Sequence, residues 1–252
     1  MIKGSSEILY GLHPVTEALK AGRRPLEAIY VRRGKAEARV GALLRWAAMR
    51  HVPVRYVDEP QLRALSGEAR HQGVCARAGV LPMADLNQVV PTDATPDALP
   101  LLVLLDNIQD PHNFGAIVRT AHCAGVDAVV IPRKRSVPPL PSVSRISAGA
   151  LEHLPIVLVT NLVATIRMLK SRDIWVVGLD GSATQSVFET ELNRPLAIVV
   201  GGEEKGLRPL VRDNCDFRVA IPHAKQFDSL NASVAAAVVI FEAYRQRRSQ
   251  GQ

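Results

Sequence analysis

Apolar and polar positions follow two different periods along this chain. Up to residue 80, GLHPVTEALKAG, ARVGALLRWAAMRH and QLRALSG repeat their apolar residues at helical spacing, while EAIYVRR, VPVRYV and GVCAR are short runs rich in β-branched residues. Helix and strand segments in alternation predict a small α/β unit over residues 1–80. The following stretch, VLPMADLNQVVPTDATPDALP, holds no sustained period and carries four prolines and three aspartates, which marks 81–99 as a linker.

From Leu101 the pattern sharpens. LLVLLD, AVVIP, PIVLV, IWVVG, LAIVVGG and FRVAIP are nearly continuous apolar runs separated by helical stretches or loops. Strands of that composition are buried on both faces, so residues 100–252 should form an α/β domain with a largely parallel sheet covered by helices. Leu230–Arg247 is alanine-rich on one face and ends in basic residues, which predicts a helix packed on the sheet or on a second subunit. No internal repeat is present.

Charge changes this picture in one respect. The formal net charge is +7, and residues 1–80 hold 14 Lys+Arg against 7 Asp+Glu, whereas the remainder is balanced at 17 of each. The first third therefore has the electrostatics of a polyanion-binding segment, or of a basic surface kept for solubility. Arg23, Arg24, Arg32, Arg33, Lys35 and Arg39 cluster around Tyr30, but aromatics are scarce at 4% of the chain, which favours contacts to phosphate and RNA shape over base stacking. No apolar run approaches the length of a membrane span, and the start lacks the apolar core of a signal peptide, so a cytoplasmic chain is expected. Cys75, Cys123 and Cys215 are too few and too dispersed for a disulfide framework or a zinc site.

In an open parallel sheet, ligands bind beyond the carboxyl ends of the strands, and three loops there are unusual. The first, DNIQDPHNFGAIVRTAHCAG, places Asn113 at a helix start and Arg119 further inside; Asp110, Pro111 and Asn113 would equally serve to turn the chain and cap the helix. The second, GGEEKGL at 201–207, fits neither the Walker nor the dinucleotide glycine pattern, and Glu203 would repel a phosphate. A carboxylate beside bare glycine backbone suits a hydroxyl, an amine or a cation; it also suits an ordinary helix start. The third, IPHAKQFDSLN at 221–231, brings Ser229 and Asn231 to the last helix, where both are ordinary N-cap residues. His112 and His223 are available as bases, although lone loop histidines are usually exposed polar residues.

Taken together, the order and spacing of these loops resemble the three motifs of the SpoU, or TrmH-type, RNA ribose 2′-O-methyltransferases of the SPOUT class. DPHNFGAIVRTA looks like the first motif, VVGGEEKGL like the second and IPHAKQFDSLNASVAAA like the third. YGLHPVTEAL and HQGV resemble the boundaries of that family's N-terminal RNA-binding domain, which is similar to the ribosomal protein L30e fold. RSVPPLP, SAGALEHLPIV and the following IWVVG are similar to the members that methylate a guanosine in the peptidyl-transferase loop of 23S rRNA.

The resemblance implies a catalytic domain tied in a deep trefoil knot, which hydrophobic patterning would not suggest. It also implies a homodimer with a shared active site, S-adenosylmethionine as cofactor and no metal. It assigns Asn113, Arg119, Glu203, Ser229 and Asn231 to the catalytic site, and Gly201, Ile221 and Leu230 to the cofactor. A guanidinium keeps its proton far above neutral pH, so Arg119 suits stabilising a developing alkoxide better than abstracting a proton. Glu204 departs from the glycine usual in the second motif, and His223, Lys225 and Asp228 alter the third, which puts the RNA target in more doubt than the reaction. The same reaction on tRNA or another rRNA site, and a catalytically silent RNA-binding protein of this fold, are the competing readings. A Rossmann-type methyltransferase lacks its glycine signature here.

Overall fold

A computed structural model describes residues 6–34, 37–67, 70–90, 99–203, 205–224 and 230–249. The chain divides into two compact units, one of residues 1–82 with 139–153, the other of 83–138 with 154–252.

The first unit contains β1 (Ser6–Tyr10), α1 (Leu12–Ala21), β2 (Leu26–Arg32), α2 (Glu37–Met49), β3 (Val54–Val57), α3 (Glu59–Ser66) and β4 (Val74–Gly79). Its sheet runs β1-β4-β2-β3, with β4 antiparallel to both neighbours and β2 parallel to β3. Leu9, Leu19, Ile29, Leu43 and Val74 fill one core, each worth roughly 1.5–3 kcal/mol of apolar burial. Asp58 and Gln61 form a reciprocal capping box that starts α3. The edge strand β1 is an element that the sequence pattern did not predict. SEILY is only five residues long and fully buries one of its side chains, Leu9, so its three apolar residues show no clear alternation and it is held by backbone pairing to β4.

The second unit contains α4 (Leu86–Val89), β5 (Leu101–Asp106), α5 (Pro111–Cys123) and β6 (Ala128–Pro132). After α6 (Pro141–Ile146), which belongs to the first unit, it continues with β7 (Ile156–Val159), α7 (Leu162–Lys170), β8 (Trp175–Leu179), β9 (Leu196–Gly201), α8 (Pro209–Arg212), β10 (Phe217–Val219) and α9 (Ala232–Ser249). All six apolar runs of the sequence are strands, in one parallel sheet ordered β10-β8-β9-β5-β6-β7. Every residue of β5 and of β6 is buried, as expected of strands covered on both faces. No helix among the described residues is long and apolar enough to cross a membrane.

Two boundaries differ from the linear reading. Part of the expected linker is packed: Ala84 bridges to Val157, Asp85 caps α4, and Leu86 and Val90 are buried in the second unit's core; residues 91–98 lie outside the described residues. The other concerns 139–153, which groups with the first unit through a buried ion pair. Arg24, 4% exposed, donates from Nε to Glu152 Oε2 at 2.8 Å and from Nη2 to Oε1 at 2.6 Å, and also reaches Glu7 Oε2 at 2.9 Å. Ser144 Oγ donates to the same Glu152 carboxylate at 2.5 Å. Arg24 is thus withdrawn from the expected basic cluster. Arg23 is likewise turned to the carbonyls of Glu152 and Pro82, whereas Arg33 and Arg39 stay exposed and Lys35 lies outside the described residues.

Candidate active site

Because the sheet is parallel, the loops after β5, β6, β8 and β9 all emerge at one edge, and the site is built there. LLVLLD ends in the one ionisable residue of its strand. Asp106 is completely buried, and its carboxylate accepts from Arg208 Nε at 2.6 Å and from the Arg208 amide at 2.8 Å. The Asp106 carbonyl accepts from the Gly202 amide at 3.0 Å. These bonds fasten both ends of the loop after β9 to the end of β5.

The glycines of that loop are required by how closely the chain folds back. A Cβ on Gly201 would stand 2.5 Å from the Gly206 carbonyl oxygen and the Leu207 nitrogen, and one on Gly202 would stand 2.6 Å from the Asn107 oxygen. Neither position accepts a side chain without moving backbone.

Helix α5 begins at Pro111, two residues earlier than a start at Asn113 would have it. Asp110 is its N-cap, accepting from the amides of His112 and Asn113 at 3.1 and 3.2 Å, with Pro111 at the first helical position. Capping is therefore done by Asp110, and the buried Asn113 side chain is left for another task. Asn113 Nδ2 donates to Glu203 Oε1 at 2.9 Å, and Asn231 Nδ2 donates to Asn113 Oδ1 at 2.9 Å and also to Glu203 Oε1. Asn231 is the N-cap of α9 as well: its Oδ1 accepts from the Ser233 and Val234 amides at 3.0 and 3.2 Å and from the Ser233 hydroxyl. Those amides fix which way the Asn231 amide group points, so its NH₂ faces Glu203. One side chain from each of three distant loops meets in this network.

Beside it lies a cavity of about 600 Å³ lined by Leu179, Val200, Ile221 and Leu230 as apolar walls, by the Gly201–Gly202 and Gly206 backbone, and by Glu203 at its polar end. That volume is ordinary for a small-molecule site, on the order of 300–1,000 Å³. Its described lining includes no lysine or arginine, and His223 is its one basic side chain, so a cationic ligand meets no permanent like charge there. In the loop after β8, Asp180 accepts from the Ser182 amide and hydroxyl at 2.9 and 2.7 Å and from Arg218 at 3.0 Å. Burial pushes the Asp180 carboxyl up, but these donors outweigh it and hold it below the ordinary 3.8.

Of the residues singled out in the sequence, Gly201, Ile221 and Leu230 all line the cavity, and Asn113, Glu203 and Asn231 form the network. Ser229 lies outside the described residues, as do Glu204, Lys225 and Asp228. Arg119 is exposed, does not line the cavity and makes no hydrogen bond or ion pair among the described residues. It is six residues beyond Asn113, about 120° further round the helix. His112 and His223 are exposed, and neither joins the network. The Asp106–Arg208 clamp and the wall residue Leu179 were not identified from the sequence; a charged residue ending an otherwise apolar strand was the available signal for the first.

A parallel sheet with a glycine-lined, cation-tolerant cavity beside a hydrogen-bonded Asn–Glu–Asn set at its carboxyl edge has the form of a SPOUT-type methyltransferase site. Residues 100–241 match the SpoU rRNA Methylase family and residues 8–81 match RNA 2′-O ribose methyltransferase substrate binding, so the chain belongs to the SpoU family. It is 40% identical over 243 residues to the 23S rRNA (guanosine-2′-O-)-methyltransferase RlmB of Ralstonia nicotianae, covering 96% of each chain. It is 41% identical to RlmB of Vibrio vulnificus, covering 96% of this chain and 98% of that one. Among solved structures, the SpoU methyltransferase AviRb from Streptomyces viridochromogenes in complex with AdoMet superposes with a TM-score of 0.80 at 26% identity, covering 97% of this chain and 91% of that one.

Proposed function

We propose that the chain methylates the ribose 2′-hydroxyl of a guanosine in 23S rRNA, in the peptidyl-transferase loop, using S-adenosylmethionine. The observation that carries this reading is the Asn113–Glu203–Asn231 network at the rim of the cavity. The cofactor fits the residues present: the glycine backbone admits close approach, Ile221 and Leu230 give an adenine apolar faces, and no described lining cation opposes a sulfonium. When bound, it would supply a methyl carbon to the 2′-oxygen, with the hydroxyl proton released to solvent and the electron pair of the broken carbon–sulfur bond kept by sulfur.

The protein's own part is positioning and charge. Asn113 and Asn231 fix one oxygen of Glu203, and the other makes no hydrogen bond among the described residues and is available to a hydroxyl or amine. Arg119, without a partner among the described residues, stabilises negative charge growing on the 2′-oxygen or holds the adjacent phosphate. Ser229 and Asn231 flank Leu230 and orient the ribose. The enzyme works as a homodimer in which Arg119 serves the shared site. In support, α9 leaves Val234 and Phe241 49% and 45% exposed, seven residues apart on one stripe. The C-terminal part forms the trefoil knot of the family, and residues 1–80 form an L30e-like RNA-binding domain. The ribosomal substrate puts the enzyme in the cytoplasm.

The test is transfer of labelled methyl from S-adenosylmethionine to unmodified 23S rRNA, with the product mapped at nucleotide resolution. One 2′-O-methylated guanosine in the peptidyl-transferase loop is the expected result. Methylation of tRNA or another rRNA site instead overturns the target, and cofactor binding without transfer to any RNA or ribosomal assembly intermediate overturns the activity.

A further inference from the structure

The lysines and arginines of the second unit fall into two groups. Most are engaged: Arg167 with Asn214, Lys170 with Asp216, Arg172 with the Val90 carbonyl, Arg208 with Asp106 and Arg218 with Asp180, while Arg194 lies over Trp175 and the arginines of α9 bond locally or to carbonyls. Arg119, Arg133, Lys134, Arg135 and Lys205 are exposed and have no such partner among the described residues. Apart from Arg119 on α5, they sit on loops at the carboxyl edge that carries the site, and three are consecutive.

The loop bearing those three is anchored. Arg133 N donates to the Val159 carbonyl at 2.8 Å, Ser136 Oγ donates to the Pro132 carbonyl, and Val137 N donates to the Ile108 carbonyl at 3.1 Å. Ile108 belongs to the loop that leads into α5 and Asn113. Arg135 is held at φ 65°, a left-handed conformation that is strained for a non-glycine residue, and two prolines follow at 138 and 139. The anchoring bonds hold the backbone, but the three like charges repel one another and no described carboxylate pairs with them; a polyanion would offset that repulsion.

We infer that Arg133, Lys134 and Arg135 form a phosphate-binding loop of the catalytic unit itself, gripping the RNA backbone beside the nucleotide presented to Asn113 and Glu203. This rests on the RNA-methylating reading above. Arginine forks suit phosphate oxygens, and the anchoring to Ile108 sets the grip relative to the reacting ribose. The loop adds affinity and register without reading bases.

The experiment compares the wild-type chain with the variant Arg133→Gln/Lys134→Gln/Arg135→Asn, Asn being chosen because it tolerates positive φ. A fluorescein-labelled fragment of 23S rRNA is titrated by anisotropy across a salt series, alongside turnover and cofactor titration. Neutralising up to three phosphate contacts should lower the slope of log affinity against log salt by about 2, at roughly 0.7–0.9 per contact. KM for RNA should rise about tenfold or more, with kcat within about threefold and cofactor affinity unchanged. Arg133→Lys/Arg135→Lys should keep the wild-type slope, and Lys134→Gln alone should give a partial loss if the triple variant folds poorly. An unchanged slope and KM in a folded variant overturn the inference, and so does acidic-protein binding that depends on the loop while RNA binding does not. Absence of methyl transfer by the wild type while RNA binding remains loop-dependent would instead overturn the catalytic reading and leave the phosphate loop standing.

Discussion

Asn113 and Asn231 show how residue type alone underdetermines a role. Both were open to being helix caps. Asn231 is one, through its Oδ1, while its NH₂ serves the network; Asn113 is relieved of that duty by Asp110. Arg119, two turns along α5, is exposed and has no hydrogen bond or ion pair among the described residues, and the proposed function gives it a chemical task. Arg119→Ala should therefore lower methyl transfer by at least about 100-fold, as loss of a charge-stabilising donor does elsewhere. Cofactor affinity measured by calorimetry, and the melting temperature, should stay near wild type. Normal turnover would remove Arg119 from the mechanism. Cys75 and Cys215 behave as structural thiols, whereas Cys123 is exposed: burial pushes Cys75 up to about 12, and burial with the neighbouring Asp216 pushes Cys215 up to about 12.

At the level of elements, the loop after β9 is the piece on which the site depends. Its shape follows from two glycines with no room for a Cβ and from the buried Asp106 carboxylate that holds Arg208. Gly201→Ala would drive a methyl group into the Gly206–Leu207 peptide, so S-adenosylmethionine affinity should fall about tenfold or more, read by calorimetry, with the sheet intact by circular dichroism. Unchanged affinity would mean that the loop adjusts freely. Asp180, in the neighbouring loop, works through pH. Its carboxyl is held below its unfolded value, so its contribution is present above 3.8 and is lost as pH falls through the lower folded value.

For the whole molecule, the telling feature is that residues 139–153, delivered by the polypeptide of the methyltransferase sheet, complete the first unit. Glu152 neutralises Arg24 where both are almost fully buried. Glu152→Ala leaves the buried guanidinium with Glu7 as its one remaining carboxylate partner among the described residues and should destabilise the first unit by up to about 3–5 kcal/mol, seen as a lower urea midpoint. Arg24→Met/Glu152→Leu should recover most of that loss, because burying two charges is itself costly. A Glu152→Ala midpoint equal to wild type would show that the pair contributes nothing.

Local sequence was enough for whatever depends on neighbours along the chain. The six apolar strands and the helices between them follow from periodicity and side-chain chemistry, whereas Asn113, Glu203 and Asn231 were pointed to by the family resemblance of the three loop motifs, their residue types alone fitting ordinary helix starts equally well. Contacts between distant residues were not legible in that way. Nothing around Arg24 announces Glu152, and nothing in LLVLLD names Arg208 as the partner of Asp106. The strand β1 pairs through its backbone and has little side-chain signature. Burial and neutralisation of a charge depend on which segments meet in three dimensions. Only the tertiary structure therefore separated the arginines that hold the fold from those left exposed.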